Sequence, residues 1–275
     1  VFYKMTGSGN DFVMFDGRYV TQGDFTPDTV RAICDRRLGV GADGVILLDP
    51  AAPPGLHFTF HFWNSDGSMG PMCGNGALCA TRLATLIELA PADGEVRFAT
   101  QSGVHRGRVA TERAEIFLPD CEAPRSVAVR TAPGERTPMA VHPSVPHLVV
   151  LVDDVDRVAI MERGPSLRHD PALGPGGANV NWVAPSGDGT FRMRTYERGV
   201  EGETLACGTG AVACALALEE QGLVRSPARI WTRSGLPLDV SWDLNRRGAT
   251  SITLAGEARL VYRGIVGDFL SHGGR

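Results

Sequence analysis

Lysine is almost missing from this 275-residue chain: 27 residues are basic, and Lys4 is the only lysine among them. A pyridoxal phosphate enzyme forms its Schiff base on a lysine. Nothing around Lys4 resembles a phosphate cup, so that cofactor is not expected. Long apolar runs are missing too. None approaches the roughly 18 residues of a membrane span, and the first residues lack the basic, apolar and cleavage regions of a signal peptide, so no membrane partner is expected. Positive charge is not in excess: 31 acidic residues outnumber the 27 basic ones, for a net charge of −4. No basic patch invites nucleic acid, and a small molecule is the expected partner. Cysteine is sparse, six in all, and two of the six lie in Gly-rich turns where a reactive thiol would be wanted. A reducing cytoplasm is therefore the expected compartment.

What is present is ordinary globular sequence, 43% hydrophobic and 21% charged, long enough for roughly two domains, each with its own core. Apolar residues flanking the turn 6–11 predict a strand-loop-strand at the start. Thr26 followed by Pro27 predicts a capped helix over 27–37. Apolar runs between Gly, Asp and Pro turns predict strands at 45–49, 58–63, 95–100, 106–110 and 114–118. A long helix follows over 74–89. The Pro-rich passage 119–146 reads as the boundary between halves. Beyond it the same grammar returns, with strands at 147–152, 180–184 and 191–196, a helix over 208–221, and strands near 229–232, 238–242, 251–254 and 258–262. Two sheets, each holding one central helix, is the simplest architecture.

The two halves share a phrase. Cys73-Gly74-Asn75-Gly76-Ala77 and Cys207-Gly208-Thr209-Gly210-Ala211 each open an apolar helical run. A lone cysteine beside alanine and leucine is ordinarily a small buried hydrophobe, and Cys34, Cys79, Cys121 and Cys214 are read that way. Repetition argues otherwise for Cys73 and Cys207. Glycines at the same two offsets let backbone N–H groups come close to a bound carboxylate. A cysteine at a helix N-terminus also meets unpaired N–H groups and the positive end of the helix dipole, which favour thiolate. Two such cysteines suit an acid and a base on opposite faces of one small substrate.

Inverting a carbon next to a carboxylate requires removing its hydrogen from one face and returning a proton on the other. One thiol must be ionised and its partner protonated, with the roles exchanged for the opposite enantiomer. The N–H groups of Gly74, Asn75, Gly208 and Thr209 could hold the carboxylate oxygens onto which the carbanion spreads its charge.

The surrounding motifs are similar to those of the diaminopimelate epimerase family. Lys4-Met5-Thr6-Gly7-Ser8-Gly9-Asn10-Asp11-Phe12 resembles its amino-terminal motif. The segments 39–44 (Gly-Val-Gly-Ala-Asp-Gly) and 62–68 (Phe-Trp-Asn-Ser-Asp-Gly-Ser) follow in the family's order. Tyr196-Glu197-Arg198-Gly199-Val200-Glu201-Gly202-Glu203-Thr204, leading into Cys207, resembles its second signature, and 254–258 its closing strand. The resemblance implies an α/β fold of the α+β kind: two pseudo-symmetric domains, each a mostly antiparallel sheet wrapped around a central helix. Residues 1–118 would form the first and 119–262 the second, with 263–275 returning to the first. It implies cofactor-independent interconversion of LL- and meso-diaminopimelate, on the route to lysine and peptidoglycan, in a homodimer. Cys73 and Cys207 would be the acid/base pair, and His147 and Glu197 would poise the thiols. Asn10, Asn64, Asn179 and Arg198 would grip the far amino-acid end, where an arginine fork suits a second carboxylate.

Some positions depart from the family pattern. Val145 stands where many members have asparagine, Thr6 where histidine is common, Leu78 in place of an arginine, and Gly44 at a position that is glutamine in some members. One extra residue separates Glu197 from Cys207. Read without the family, His147 would be a structural histidine, Asn64 and Asn179 turn formers, and Glu197-Arg198 a surface ion pair of small worth. The nearest alternative is a same-fold racemase of another amino acid, of histidine or proline type. A metal or dithiol site is disfavoured by helical geometry. Cys73 and Cys79 would point about 120° apart, and Cys207 and Cys214 would lie roughly 10 Å apart along the axis; neither pair has the spacing of a zinc or redox motif.

Overall fold

The computed structural model describes residues 1–110 and 113–267. The chain divides into two compact units, the first Val1–Ile116 together with the chain from Gly256 onward, the second Phe117–Ala255. In the first unit the elements run β1 (Phe2–Gly7), β2 (Asn10–Asp16), α1 (Pro27–Cys34), β3 (Gly44–Asp49), β4 (Phe58–Asn64), β5 (Met69–Gly70), α2 (Gly74–Leu86), β6 (Val96–Thr100), β7 (Gly103–Ala110) and β8 (Arg113–Phe117). The second holds β9 (Cys121–Glu122), β10 (Arg125–Ser126), β11 (Arg136–Val141), β12 (His147–Leu151), α3 (Ile160–Arg168), β13 (Asn179–Pro185), β14 (Phe191–Glu197), β15 (Gly202–Thr204), α4 (Gly208–Glu220), β16 (Ala228–Trp231), β17 (Pro237–Asn245) and β18 (Gly248–Glu257). The last described strand, β19 (Arg259–Gly264), pairs antiparallel with β1. Of the expected returning segment 263–275, residues 268–275 lie outside the described residues.

Strand pairing follows one scheme twice. In the first unit β1 pairs antiparallel with β2, β2 parallel with β3, β3 antiparallel with β4, and β4 antiparallel with β5 and parallel with β6. In the second, β11 through β16 repeat those relations in the same order. The sheets are thus mostly antiparallel, with two parallel pairs in each unit.

Equal registers make residues equivalent by position. Phe12 opposes Gly44 as His147 opposes Asn179, and Ile46 opposes Phe62 as Asn181 opposes Thr195. Each unit buries a central helix. α2 hides all of Asn75–Thr81, and α4 is buried on every side from Gly210 to Glu219, as an Ala-, Val- and Leu-rich helix enclosed by sheet should be.

Three local features differ from the sequence reading. α1 stops at Cys34 instead of reaching 37, because the Asp35 carboxylate accepts from the N–H groups of Arg37 and Leu38, each at 2.7 Å, and turns the chain. α2 stops at Leu86, and Glu88 sits at φ 60°, a left-handed conformation no helix continues through. The Pro-rich passage carries strands β9, β10 and β11 within the second unit.

A further helix, α3, had no signal in the sequence: Pro165 lies inside it and Ala159 gives its start no side-chain cap. It forms because Gly164 lets it lie on the Tyr196 ring, which an added Cβ would meet at 2.2 Å. Arg163 also ties it down, donating to both oxygens of Glu135, one of which also accepts from Trp182 Nε1 at 2.9 Å. Among the described residues no helix is long and apolar enough to cross a membrane.

Candidate active site

Both motif cysteines are N-cap residues. Cys73 (φ −132°, ψ 122°) precedes α2 and Cys207 (φ −134°, ψ 110°) precedes α4, each extended while the next residue is helical. The N–H groups of Gly74 and Asn75, and of Gly208 and Thr209, therefore belong to first turns that have no intrahelical acceptor. The two thiols are held differently. Cys73 Sγ accepts from the Gly76 N–H at 3.4 Å, as a capping side chain does, whereas Cys207 Sγ faces the Thr209 hydroxyl at 3.7 Å.

The second cysteine of each motif is buried deeper. Burial raises the Cys79 thiol well above its usual range, with the Cys73 charge adding to it, and burial raises Cys214 likewise. Both stay protonated. Cys34 is pushed up to about 12 and Cys121 upward, again by burial. Among the described residues, no group of three or more His, Cys, Asp or Glu side chains converges as a metal site would require.

In the first unit the β1–β2 hairpin delivers Asn10 beside the start of α2. Gly7 is needed for that approach, because a Cβ there would meet the Asn75 carbonyl oxygen at 2.8 Å and Cys79 Sγ at 2.9 Å. Asn75 Nδ2 donates to Asn10 Oδ1 at 2.7 Å, and Asn10 Nδ2 donates to Asp43 Oδ2 at 3.0 Å. The acceptor-only carboxylate fixes both amide orientations. Asp43 in turn bonds Arg36, which also grips Asp11, and Lys4 donates to Asp11 and to the Gly41 carbonyl. Asn75 Oδ1 is left buried without a protein donor. Asn64 ends β4 and donates to Ser68 Oγ at 3.0 Å. Gly44 leaves no room for a side chain, since a Cβ would lie 2.5 Å from the Trp63 carbonyl oxygen.

In the second unit His147 and Asn179 start the parallel strands β12 and β13 side by side. His147 Nε2 lies 3.0 Å from Thr209 Oγ1 and 3.4 Å from Asn179 Nδ2, while its Nδ1 lies 3.1 Å from Asn181 Nδ2. The Asn179 side-chain oxygen accepts from the Arg198 N–H at 2.8 Å. Burial, followed by the nearby Arg198 and His142, pushes the His147 imidazole down to about 3. It is neutral at working pH. Burial raises the Glu197 carboxyl, opposed by the Thr204 hydroxyl.

Glu197 and Arg198 form no ion pair with each other. Among the described residues the Arg198 guanidinium has no carboxylate partner, which leaves its fork available. The segment carrying the extra residue closes as a hairpin loop in which Gly199 and Glu201 take positive φ and the Glu201 N–H returns to the Glu197 carbonyl at 2.9 Å.

Cys73, Asn10, Gly74 and Asn75 are thus assembled at one helix N-terminus, and Cys207, His147, Asn179, Gly208 and Thr209 at the other. Asn64, Glu197 and Arg198 stand at strand ends within their own units. Sequence reasoning missed Asp43 and Arg36, which orient Asn10, and it missed Asn181. The period-2 spacing of Asn179 and Asn181, which puts both on one face of a strand, was the available signal.

The profile of the diaminopimelate epimerase family matches residues 2–117 and 139–261. A diaminopimelate epimerase of Gemmatimonas aurantiaca is 44% identical over 96% of this chain and 98% of its own length. Among solved structures, a phenazine biosynthesis protein of the PhzF family from Bacillus anthracis superposes with a TM-score of 0.71 at 11% identity, covering 93% of this chain and 95% of the other. A probable proline racemase from Agrobacterium radiobacter gives a TM-score of 0.65 at 16% identity, over 93% and 89%. Those two likenesses establish the shared fold, and the profile with the close relative goes further: this chain belongs to the diaminopimelate epimerase family.

Proposed function

We propose that the chain interconverts LL- and meso-diaminopimelate by two-base proton transfer at Cα, serving lysine and peptidoglycan precursor synthesis. The observation that carries this reading is the pair of cysteines capping the two buried helices at equivalent places in the two units. In one direction a thiolate removes the Cα hydrogen as a proton and becomes a thiol. The electron pair spreads onto the carboxylate, where the N–H groups of Gly74, Asn75, Gly208 and Thr209 are suited to stabilise it. The other cysteine gives its proton to the opposite face and is left as thiolate. Reversal exchanges the roles of Cys73 and Cys207.

His147 and Glu197 serve to poise the thiols. His147 acts as a neutral hydrogen-bonding group, in keeping with its burial. Asn10, Asn64, Asn179 and Arg198 hold the far amino-acid end. The orphaned acceptor Asn75 Oδ1 suits a substrate ammonium, and the unpaired Arg198 fork suits the second carboxylate. We also read the chain as a cytoplasmic homodimer. The singly buried thiols of Cys34, Cys79, Cys121 and Cys214 support a reducing compartment, and the exposed Val261, Tyr262 and Ile265 on and after β19 support association.

The test is Cα deuterium incorporation in D2O with reductant present, offering diaminopimelate, proline, histidine and glutamate in parallel to wild type, Cys73→Ala and Cys207→Ala. Exchange and epimerisation of diaminopimelate alone, with epimerisation lost in both variants, is the expected result. Turnover of another amino acid in its place would make the chain a racemase of the same fold.

A further inference from the structure

The two units use the same backbone scheme but fill three equivalent buried positions with opposite chemistry. Where the first unit has Phe12, Ile46 and Phe62, the second has His147, Asn181 and Thr195. All three polar residues are almost wholly buried, at 1%, 0% and 2% exposure. Apolar residues plainly satisfy this fold, since Phe12 and Phe62 pack edge to face at 6.3 Å in the sister unit. Polar groups placed in a core without need are costly, so the trio calls for a reason beyond folding.

The hydrogen bonds supply one. Asn181 Oδ1 accepts from the Thr195 hydroxyl at 2.9 Å, and its Nδ2 donates to the Leu148 carbonyl at 3.1 Å. A carbonyl only accepts, so the amide orientation is fixed, and the same Nδ2 can only donate to His147 Nδ1. A neutral imidazole accepts at one nitrogen and donates at the other. With Nδ1 accepting, Nε2 carries the hydrogen and gives it to Thr209 Oγ1 at 3.0 Å, while Asn179 Nδ2, a donor because its oxygen accepts from the Arg198 N–H, stands off at 3.4 Å and directs its hydrogen to the Pro146 carbonyl. Thr209 then has one hydrogen of its own, and Cys207 Sγ is 3.7 Å away.

We propose that Asn181 is a positioning residue for the chemistry of Cys207: its amide locks His147 in the tautomer protonated at Nε2, so that the Thr209 hydroxyl spends its hydrogen on the Cys207 sulfur. A donor aimed at sulfur favours thiolate. In the opposite tautomer Nε2 accepts from Thr209, the hydroxyl turns away, and its oxygen accepts from S–H instead, favouring thiol. The glycine of the second motif serves this contact, because a Cβ on Gly210 would lie 2.5 Å from Asn181 Oδ1. At the matching glycine of the first motif, Gly76, the nearest neighbour is the end of Ile46, at 2.9 Å. The consequence for catalysis rests on the proposed two-thiol reading, whereas the tautomer does not.

The chain has seven histidines, few enough for long-range 1H–15N correlation on histidine-labelled full-length protein, with the His147→Gln spectrum assigning the signal. The wild type should show hydrogen on Nε2 and a bare Nδ1. In Asn181→Asp, where a carboxylate can only accept, Nδ1 should acquire a proton. Hydrogen on Nδ1 in the wild type overturns the proposal whether or not the variant folds, and so does an unchanged tautomer in a folded Asn181→Asp.

For Asn181→Leu, site-resolved alkylation of Cys207 at neutral pH should slow by about threefold to tenfold. Its kcat should fall by about tenfold or more with KM little changed, and the acid limb of its pH profile should move upward. Unaltered alkylation and an unaltered profile would contradict the coupling to Cys207. If no diaminopimelate turnover is found even in wild type, the functional reading fails while the tautomer measurement still decides this one.

Discussion

A neutral, buried histidine has consequences at the scale of one residue. His147 in the folded chain titrates near 3, whereas an unfolded histidine titrates near 6.5. The unfolded state therefore binds more protons between those values, and stability contributed by this site is present above pH 6.5 and lost as pH falls toward 3. The slope from a single group is at most about 1.4 kcal/mol per pH unit. Chemical denaturation of wild type and His147→Gln should give stabilities that converge as pH falls from 7 to 4. A constant difference across that range would mean that His147 is not held neutral in the fold. The cysteine repeat itself was legible because spacing and neighbours recur. Asn181 was not, because nothing local distinguishes a strand asparagine that satisfies a carbonyl from one that turns a histidine; the difference lies in partners 14 and 34 residues away along the chain.

At the scale of elements, the two helix starts carry a contrast. A glycine-to-alanine change inside a helix ordinarily gains about 1 kcal/mol. At Gly76 the added Cβ presses on Ile46 Cδ1, the end of a side chain that can rotate away, so Gly76→Ala should change stability by less than about 1 kcal/mol. At Gly210 it meets Asn181 Oδ1 at 2.5 Å and Cys207 Sγ at 3.2 Å, and the Asn181 amide is pinned by Thr195 and Leu148. Gly210→Ala should lose about 1–3 kcal/mol and most of its activity. Urea denaturation of the two variants checks this; equal stabilities would contradict the asymmetry.

Most strands were readable from alternation and turn residues. α3 was not, because its reason to exist is tertiary: a glycine against Tyr196, and Arg163 against Glu135. Strands β9 to β11 were hidden by a proline-rich composition that local reading assigns to loops, although β10 and β11 pair across Arg125–Ala140 and Ser126–Met139.

At the scale of the whole molecule, two units share one pairing scheme while dividing the polar work unequally. The second unit also holds a partly buried charge pair, Glu135 with Arg163 at 2.7 Å, side chains 5% and 19% exposed, with Trp182 donating to the same carboxylate. Removing one member strands the other in a poor solvent. Arg163→Met should therefore cost about 3 kcal/mol while leaving kcat unchanged, since the pair makes no contact with the cysteine-bearing helix starts. A thermal melt beside an activity assay at the same temperature measures both. A large fall in kcat in protein that remains folded would contradict the separation of anchor from site.

The central claim, that one thiolate takes a proton and another thiol supplies one, is tested most directly by the isotope in each pool at low conversion. LL-diaminopimelate is epimerised in D2O, the reaction is stopped early, and product and remaining substrate are separated and weighed by mass spectrometry. The two-thiol account predicts one deuterium at the inverted centre of nearly every product molecule and almost none in the recovered substrate, because the proton removed and the proton returned reside on different sulfurs. Product that keeps its original hydrogen, or deuterium spread equally through both pools, would contradict it.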